Sequence, residues 1–533
     1  MIAGGPGRRG GPPVALSAAA LTAVALVTLP LAYLIVRAAS GGSRAWSVLE
    51  RHRTLDLVLD SVGLVVAVVG AAVAIGVPLA WLVTRTDLPG RRLWAAAAAL
   101  PLVIPSYVAA LALLGAFGPR GMLQGALERL FGVERLPEIY GFPGAVFALT
   151  LSTYPYVFLL VAAALRGIDP GPEEAARLLG RGGLDVFRRV TLPLLRAPIA
   201  AGALLVALYT LSDFGAVSLM RYHALTRAIF LQYQTLFDRR PAAVLALVLV
   251  LLTACVLLLE SRARAGSYTR SAPGTQRRPT VTPLGRWRWP ALAFCTIVVG
   301  IFLAVPIAVL GYWSVQAADL GQSLSFEWGA AVNSLIASLL AAAAAAAAVL
   351  PVAFLAERYP SFWTRTLERA SYASNALPGI VIALSLVFFA ANYGGFVYQT
   401  LGLLVFAYVV RFFPQALAAV SASLRAVNPR LEEAARGLGR SPSAVLFSVT
   451  APLVRPGVLA GAALVFLSAM KELPATLLLR PIGFDTLATE IWKFTALGSY
   501  SRAAPPALLL IVLSAPLVYA LTARRGSQLA TPG

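Results

Sequence analysis

The chain has 533 residues, of which 59% are apolar and only 13% charged, and its formal net charge is +21. A soluble globular domain carries about 25% charged residues, so the composition excludes an ordinary soluble enzyme and points into a lipid bilayer. The excess positive charge is arginine beside apolar spans, where it sets topology, and it gives no support to a nucleic-acid partner.

In chain order, Arg8 and Arg9 precede an apolar run from Val14 to Val36. A cleaved signal core is about 7–15 residues; this run is longer and is expected to stay as a first span. A membrane helix needs about 20 apolar residues. Twelve stretches qualify: 14–37, 61–84, 94–116, 143–165, 199–220, 242–260, 290–314, 333–356, 372–391, 401–424, 457–479 and 505–523. Several contain Pro or Gly, which membrane helices tolerate when neighbours satisfy the freed backbone groups.

Arginine in short loops orients the spans. With the N-terminus in the cytoplasm, the inner loops hold Arg85, Arg91 and Arg92, then Arg166 through Arg196, then Arg358, Arg365 and Arg369, then Arg425 through Arg455, and last Arg524 and Arg525. Both termini are then cytoplasmic. Residues 261–289 carry seven arginines and no acid, are rich in Ser, Thr, Pro and Gly, and read as an inner, flexible connector.

The connector separates a first half, 1–260, from a second, 290–533. The halves match. Between Leu165–Val206 and Leu424–Val465, 22 of 42 positions are identical without a gap. Pro155 pairs with Pro414, Asp213 with Glu472, Ser61 with Ser334, Pro78 with Pro351 and Arg85 with Arg358. Six spans per half give both copies one orientation, so the expected fold is an all-α membrane protein of about twelve transmembrane helices in two parallel-duplicated six-helix halves.

The densest match is polar: "EEAARLLGR" at 173–181 and "EEAARGLGR" at 432–440, in the inner loops 166–198 and 425–456. Asn428 suits a helix N-cap and Pro429 its first position, as do Asp169 and Pro170. Glu432 and Glu433 fall in the favoured first turn, Gly439 suits a left-handed C-cap, and Ser441-Pro442 opens another helix. Two short helices meeting at a Gly-Arg elbow are expected in each half. A connecting loop drifts faster than the spans it joins, so two near-identical copies imply a partner that contacts both.

These residues carry a resemblance. Glu174-Ala175-Ala176, Gly180 and Pro193, and again Glu433-Ala434-Ala435, Gly439 and Pro452, resemble the EAA loops of ABC-importer permeases. The likeness covers nearly the whole chain as two fused permease halves. The stretches 212–233 and 471–494 are most similar to ferric-iron importer permeases; thiamine and phosphonate importer permeases resemble the chain too. The resemblance implies a multi-pass permease of the bacterial plasma membrane. It further implies two copies of a cytoplasmic ABC ATPase that use ATP and Mg, and an extracytoplasmic substrate-binding protein. Glu173, Glu174, Ala175, Ala176 and Gly180, with Glu432, Glu433, Ala434, Ala435 and Gly439, would form the coupling helices and elbows. The glutamates would pair with basic groups on the ATPase. No phosphate-binding G-x-x-x-x-G-K-[ST] occurs in the chain, so no enzymatic activity and no bound cofactor are expected of it.

Asp213, Arg411, Lys471 and Glu472 interrupt apolar spans. Such groups cost about 2.5–3.5 kcal/mol each on insertion scales, so they must face protein or water. They read either as a buried network, with Arg411 or Lys471 against Glu472 and Asp213, or as a gate or substrate path. Cys255 and Cys295 form no disulfide framework, and His52 and His223 no metal-binding pattern. A self-sufficient secondary transporter would share the duplication but has no need of repeated docking loops.

Overall fold

The computed structural model describes residues 12–50, 52–119, 121–169, 171–235, 240–265, 281–319 and 328–527. Among the described residues every regular element is a helix, apart from one isolated bridge between Thr86 and Thr282. Among the described residues ten helices are long and apolar enough to cross a membrane, or twelve if each of two bent pairs is one span. The elements that position the site are, in the first half, α1 (Val14–Ala39), α2 (His52–Arg85), α3 (Ser106–Phe117), α4 (Phe142–Gly167), α5 (Gly171–Leu178) and α6 (Arg196–Ser212). In the second half they are α7 (Trp328–Arg358), α8 (Gly379–Tyr393), α9 (Leu401–Ala426), α10 (Pro429–Gly437) and α11 (Ala451–Met470).

Four expected spans are not continuous helices. The stretch 94–116 breaks at Ile104 and Pro105, and 372–391 breaks at Leu377 and Pro378. Proline offers no N–H and pushes the residue before it out of the helical region. Ile104 (ψ 116°) and Leu377 (ψ 105°) are accordingly extended. The helical segment Phe362–Ala376 meets α8 at 102°. The stretch 199–220 stops at Ser212 with Asp213 extended (ψ 132°) before a short helix, Gly215–Leu219. The stretch 457–479 stops at Met470 and resumes at Pro474, the first residue of Pro474–Leu479.

The chain forms two compact units that interleave along the sequence. One gathers Met1–Ser40, Gly329–Thr486 and Pro516–Gly533. Within it α1, a first-half span, lies on second-half helices: Ser385 donates to the Pro30 carbonyl at 2.6 Å, Tyr33 stacks edge-on to Phe389 at 5.5 Å, and Arg37 sits 5.2 Å over Phe388. Here α9 and α11 approach through Gly461, where a Cβ would come 3.3 Å from the Ala416 carbonyl.

The other unit gathers Gly41–Trp328 and Leu487–Ala515. Its centre is α2, α4 and α6 meeting at Val157. A Cβ on Gly76 would lie 3.0 Å from Val157 Cβ, and one on Gly202 would lie 2.9 Å from Val157 Cα. Gly202 is the counterpart of Gly461, so each half uses a small residue at the same helix crossing. The start of the second sequence half belongs to this unit. Phe302 packs 5.4 Å from Tyr154, and Trp313 fills the space beside Gly115. Compact units and sequence halves therefore do not coincide.

The connector is ordered at both described ends. Residues 261–265 continue the helix Arg240–Ala265. Thr282 takes a backbone bond to the Arg85 carbonyl (2.8 Å) and accepts one from Asp87 (3.3 Å). Residues 266–280 lie outside the described part, as does Pro170.

Candidate functional site

The two repeated loops fold alike down to single hydrogen bonds. At the start, Asp169 Oδ1 accepts from Gly171 N and Asn428 Oδ1 from Arg430 N, each at 3.1 Å. At the end, Gly180 (φ +79°) and Gly439 (φ +82°) are left-handed. Arg181 N donates to Ala176 O and Gly180 N to Arg177 O. Arg440 N to Ala435 O and Gly439 N to Arg436 O repeat the pair. This is the Schellman C-cap, which needs a residue tolerant of positive φ. A second short helix follows each elbow, with Ser441 Oγ accepting from Ala444 N at 3.3 Å. Next comes a π-helical turn, Phe187–Thr191 or Leu446–Thr450, and then α6 or α11. Pro193 and Pro452 lie in the first turn of the helix after it, where a missing N–H costs nothing.

The side chains divide into an inner and an outer face. Glu173, Ala176, Glu432 and Ala435 are buried; Ala175, Glu433 and Ala434 are exposed, and Glu174 is half-buried. The first glutamate of each pair is thus turned into its own chain, which corrects the expectation that both meet a partner. Glu173 Oε1 accepts from Thr191 at 3.0 Å and lies 3.9 Å from Arg85 Nη2. Glu432 Oε1 accepts from Thr450 at 3.1 Å and from Arg358 Nε at 3.0 Å. The outer face carries Leu178 (90% exposed), Leu179 (81%) and Leu438 (85%) at the helix ends. These leucines were not singled out from sequence; the cue was an apolar residue directly before a C-cap glycine in a charged helix. One contact belongs to the first copy alone: Arg177 donates to Thr282 Oγ1 at 2.8 Å, so the connector's end flanks the first loop.

Of the charges expected inside spans, Asp213, Lys471 and Glu472 stand at helix breaks, and Arg411 lies within α9. In the first half, Asp213 Oδ1 accepts from Ala216 N (2.9 Å) and Val217 N (3.3 Å), capping the short helix after the break. Its other oxygen accepts from Ser106 Oγ, at the start of α3, and its carbonyl accepts from Thr226 at 2.6 Å. Phe214 beside it packs on Phe230 (4.7 Å) and Trp492 (5.2 Å). In the second half, Glu472 Oε2 accepts from Arg411 Nε at 3.0 Å, and Arg411 Nη1 reaches the Leu377 carbonyl at 3.1 Å. Lys471 ends α11, its N–H donating to Ser468 O at 3.3 Å. Of the expected network, the geometry brings Arg411 and Glu472 together, while Asp213 is held by a hydroxyl and backbone amides.

Each acid faces the N-terminal turn of the helix that follows the X-Pro break, where the macrodipole favours negative charge. Ser106 follows Pro105 as Gly379 follows Pro378. The shorter acid, Asp213, meets a serine side chain. The longer one, Glu472, occupies the place where a Cβ on Gly379 would lie. Ser106 and Gly379 were not legible as site residues because each is an unremarkable small residue until the fold sets it against an acid. No group of three or more His, Cys, Asp or Glu able to hold a metal occurs among the described residues.

Comparison with known proteins agrees with the doubled geometry. Residues 72–262 and 349–525 each match the family described as "Binding-protein-dependent transport system inner membrane component". The chain is 32% identical over 501 residues to the Fe(3+)-transport system permease protein FbpB 2 of Haemophilus influenzae, covering 92% of this chain and 95% of that one. It is 25% identical to the thiamine transport system permease protein ThiP of Salmonella typhimurium, covering 64% of this chain and 65% of that one. It is 32% identical over 179 residues to the molybdenum transport system permease protein ModB of Escherichia coli, covering 31% of this chain and 77% of that one. Two matches spanning most of the chain, each containing one elbowed loop and two broken spans, place it: the chain belongs to the family of binding-protein-dependent transport system inner membrane components.

Proposed function

We propose that this permease carries ferric iron across the bacterial plasma membrane, driven by a separate ABC ATPase and supplied by an extracytoplasmic binding protein. The observation that carries the coupling role is the pair of matching loops, each a capped helix with a left-handed elbow and an exposed leucine tip. Two such docking helices suit two copies of one ATPase, which bind and hydrolyse ATP with Mg; both termini then lie in the cytoplasm with the loops. The long match to a ferric-iron permease supports the cargo. Repeated docking loops favour this reading over a self-sufficient secondary transporter.

Mechanically, closure of the ATPase pair draws α5 and α10 towards each other. The elbows pass that motion through the π-helical turns into α6 and α11, whose outer ends carry Asp213 and Glu472. These acids, with Arg411 and Lys471, act as a gate at the broken spans, where backbone outside a regular helix is tolerated because protein buries it. Removing Arg411 or Glu472 alone leaves an uncompensated buried charge, so the pair holds the second-half break in one arrangement.

The test is uptake in a strain lacking the chromosomal copy. Labelled ferric iron should enter cells carrying the permease, its ATPase and its binding protein, while labelled thiamine and molybdate should not. Uptake of thiamine or molybdate without iron would overturn the cargo. Iron uptake that persists without the ATPase would overturn the coupling.

A further inference from the structure

Each docking helix is tied to the membrane part of its half by the same three residue types, all buried except Arg358, whose side chain is 11% exposed. In the second half, Arg358 is the last residue of α7. Its Nε donates to Glu432 Oε1 at 3.0 Å, Nη2 lies 2.9 Å from the same oxygen as an ion pair, and Nη2 donates to the Val427 carbonyl at 3.4 Å. Thr450, at the end of the π-helical turn, donates to the same carboxylate oxygen at 3.1 Å. In the first half, Arg85 ends α2, donates to the Ile168 carbonyl at 3.2 Å and lies 3.9 Å from Glu173 Oε1, to which Thr191 donates at 3.0 Å. The side chains of Glu173 and Glu432 are each 6% exposed, and that of Arg85 is 1% exposed.

The buried glutamate is therefore a hub joining three elements: the end of one span, the docking helix, and the turn that leads into the next span. A carboxylate oxygen taking a guanidinium and a hydroxyl together forms charge-assisted bonds, stronger than neutral ones. A π-helical turn is rare and concentrates at functional positions; here it recurs at the same place in both halves and ends each time on the threonine of the hub. Glutamate and threonine are retained across a stretch of the duplication that has changed 20 of the 42 positions between Leu165–Val206 and Leu424–Val465, and Arg85 pairs with Arg358 in an earlier matching stretch.

We propose that Arg358–Glu432–Thr450 and Arg85–Glu173–Thr191 are transmission clasps. They make each docking helix move as one body with two spans, so that ATPase motion reaches α6 and α11 instead of being absorbed in the loop. Arginine and threonine are positioning residues that never touch the ATPase. This rests on the reading of the loops as ATPase docking sites.

The test uses the full-length permease reconstituted in liposomes with its ATPase and binding protein. Three quantities are measured for Arg358→Met, Thr450→Val and Arg358→Lys: ATPase captured, ATP hydrolysed, and iron transported per ATP. Arg358→Met and Thr450→Val should capture wild-type amounts of ATPase and still hydrolyse ATP. Their transport per ATP should fall about fivefold or more, the lower end of ordinary coupling effects. Arg358→Lys, which keeps the charge, should recover most of the ratio. Thr450→Val is nearly isosteric and keeps the experiment decisive if Arg358→Met fails to assemble. An unchanged ratio in Thr450→Val, or a loss explained wholly by lost ATPase capture, overturns the clasp. A wild-type chain that captures no ATPase overturns the docking reading instead.

Discussion

Gly379→Ala tests the second broken span with a single carbon. A Cβ at this position falls on Glu472 Oε1 and comes 3.2 Å from Arg411 Nε and Cζ. Two relaxations are open. Glu472 can swing away and break its 3.0 Å bond to Arg411. The two side chains are 8% and 19% exposed, and separating a buried pair costs about 3–5 kcal/mol. Alternatively the start of α8 can shift, and inserting a methyl into a packed site costs about 1–3 kcal/mol. The shift is cheaper and sets the outcome. Alanine returns about 0.4–1 kcal/mol by restricting the unfolded chain, so the net loss is on the order of 1–2 kcal/mol. The first half suggests the compensation, since it has the shorter acid where it has a side chain. Gly379→Ser combined with Glu472→Asp should therefore lose less than the two single changes summed, by about 1 kcal/mol or more, as expected for residues in contact. Unfolding of the purified protein in detergent gives the stabilities, and iron uptake gives the functional loss. Gly395→Ala, where a Cβ meets nothing within 4 Å, is the control. Strict additivity, or a Gly379→Ala protein as stable and active as wild type, refutes the reasoning.

Three further changes separate the parts of the account. Gly439→Val should lower uptake, because a positive φ costs a β-branched residue at least about 1–2 kcal/mol, whereas Gly439→Asn, which tolerates that conformation, should stay near wild type; equal uptake in both would show that the elbow needs no special backbone. Asp213→Asn with Glu472→Gln should reduce iron uptake about tenfold or more, as expected of ionisable groups retained at a path, while ATPase capture persists; unchanged uptake would remove both acids from the gate. Arg358→Met should destabilise more than Arg85→Met in thermal unfolding, since Arg358 loses a close charge-assisted bond and ion pair to Glu432 as well as a carbonyl bond, whereas Arg85 loses one bond to a carbonyl and a 3.9 Å contact. Equal losses would mean that the shorter distances in the second half carry no extra energy.

The loops were legible in the sequence because capping chemistry is local. Asn428, Gly180 and Gly439 act through neighbours a few residues away, and each does what its type predicts. The span positions followed from apolar length. The breaks inside four spans did not, although Pro105, Pro378 and Pro474 were visible, because membrane helices also absorb proline without breaking, as α4 does at Pro155 and α9 at Pro414. Whether a span breaks depends on what waits to satisfy the freed groups; at Asp213, where no proline stands, it is the carboxylate itself. The direction of Glu173 and Glu432 was also hidden. Arg85 and Arg358, more than 70 residues earlier in the chain, read as topology signals, and only the fold closes them onto the helices of the repeated loops. The packing of α1 within the unit of the second half was beyond any periodicity argument, since one apolar helix face resembles another.

The central claim is that both loops are docking sites for a separate ATPase, and their exposed tips test it most directly. Leu179 and Leu438 are 81% and 85% exposed, so aspartate there should leave the fold intact while placing a charge in an apolar contact. The measurement is the amount of ATPase that co-purifies with the full-length permease. Leu179→Asp and Leu438→Asp should each lower it, and the double variant should abolish it without changing thermal unfolding of the permease. Wild-type capture by the double variant would contradict the account.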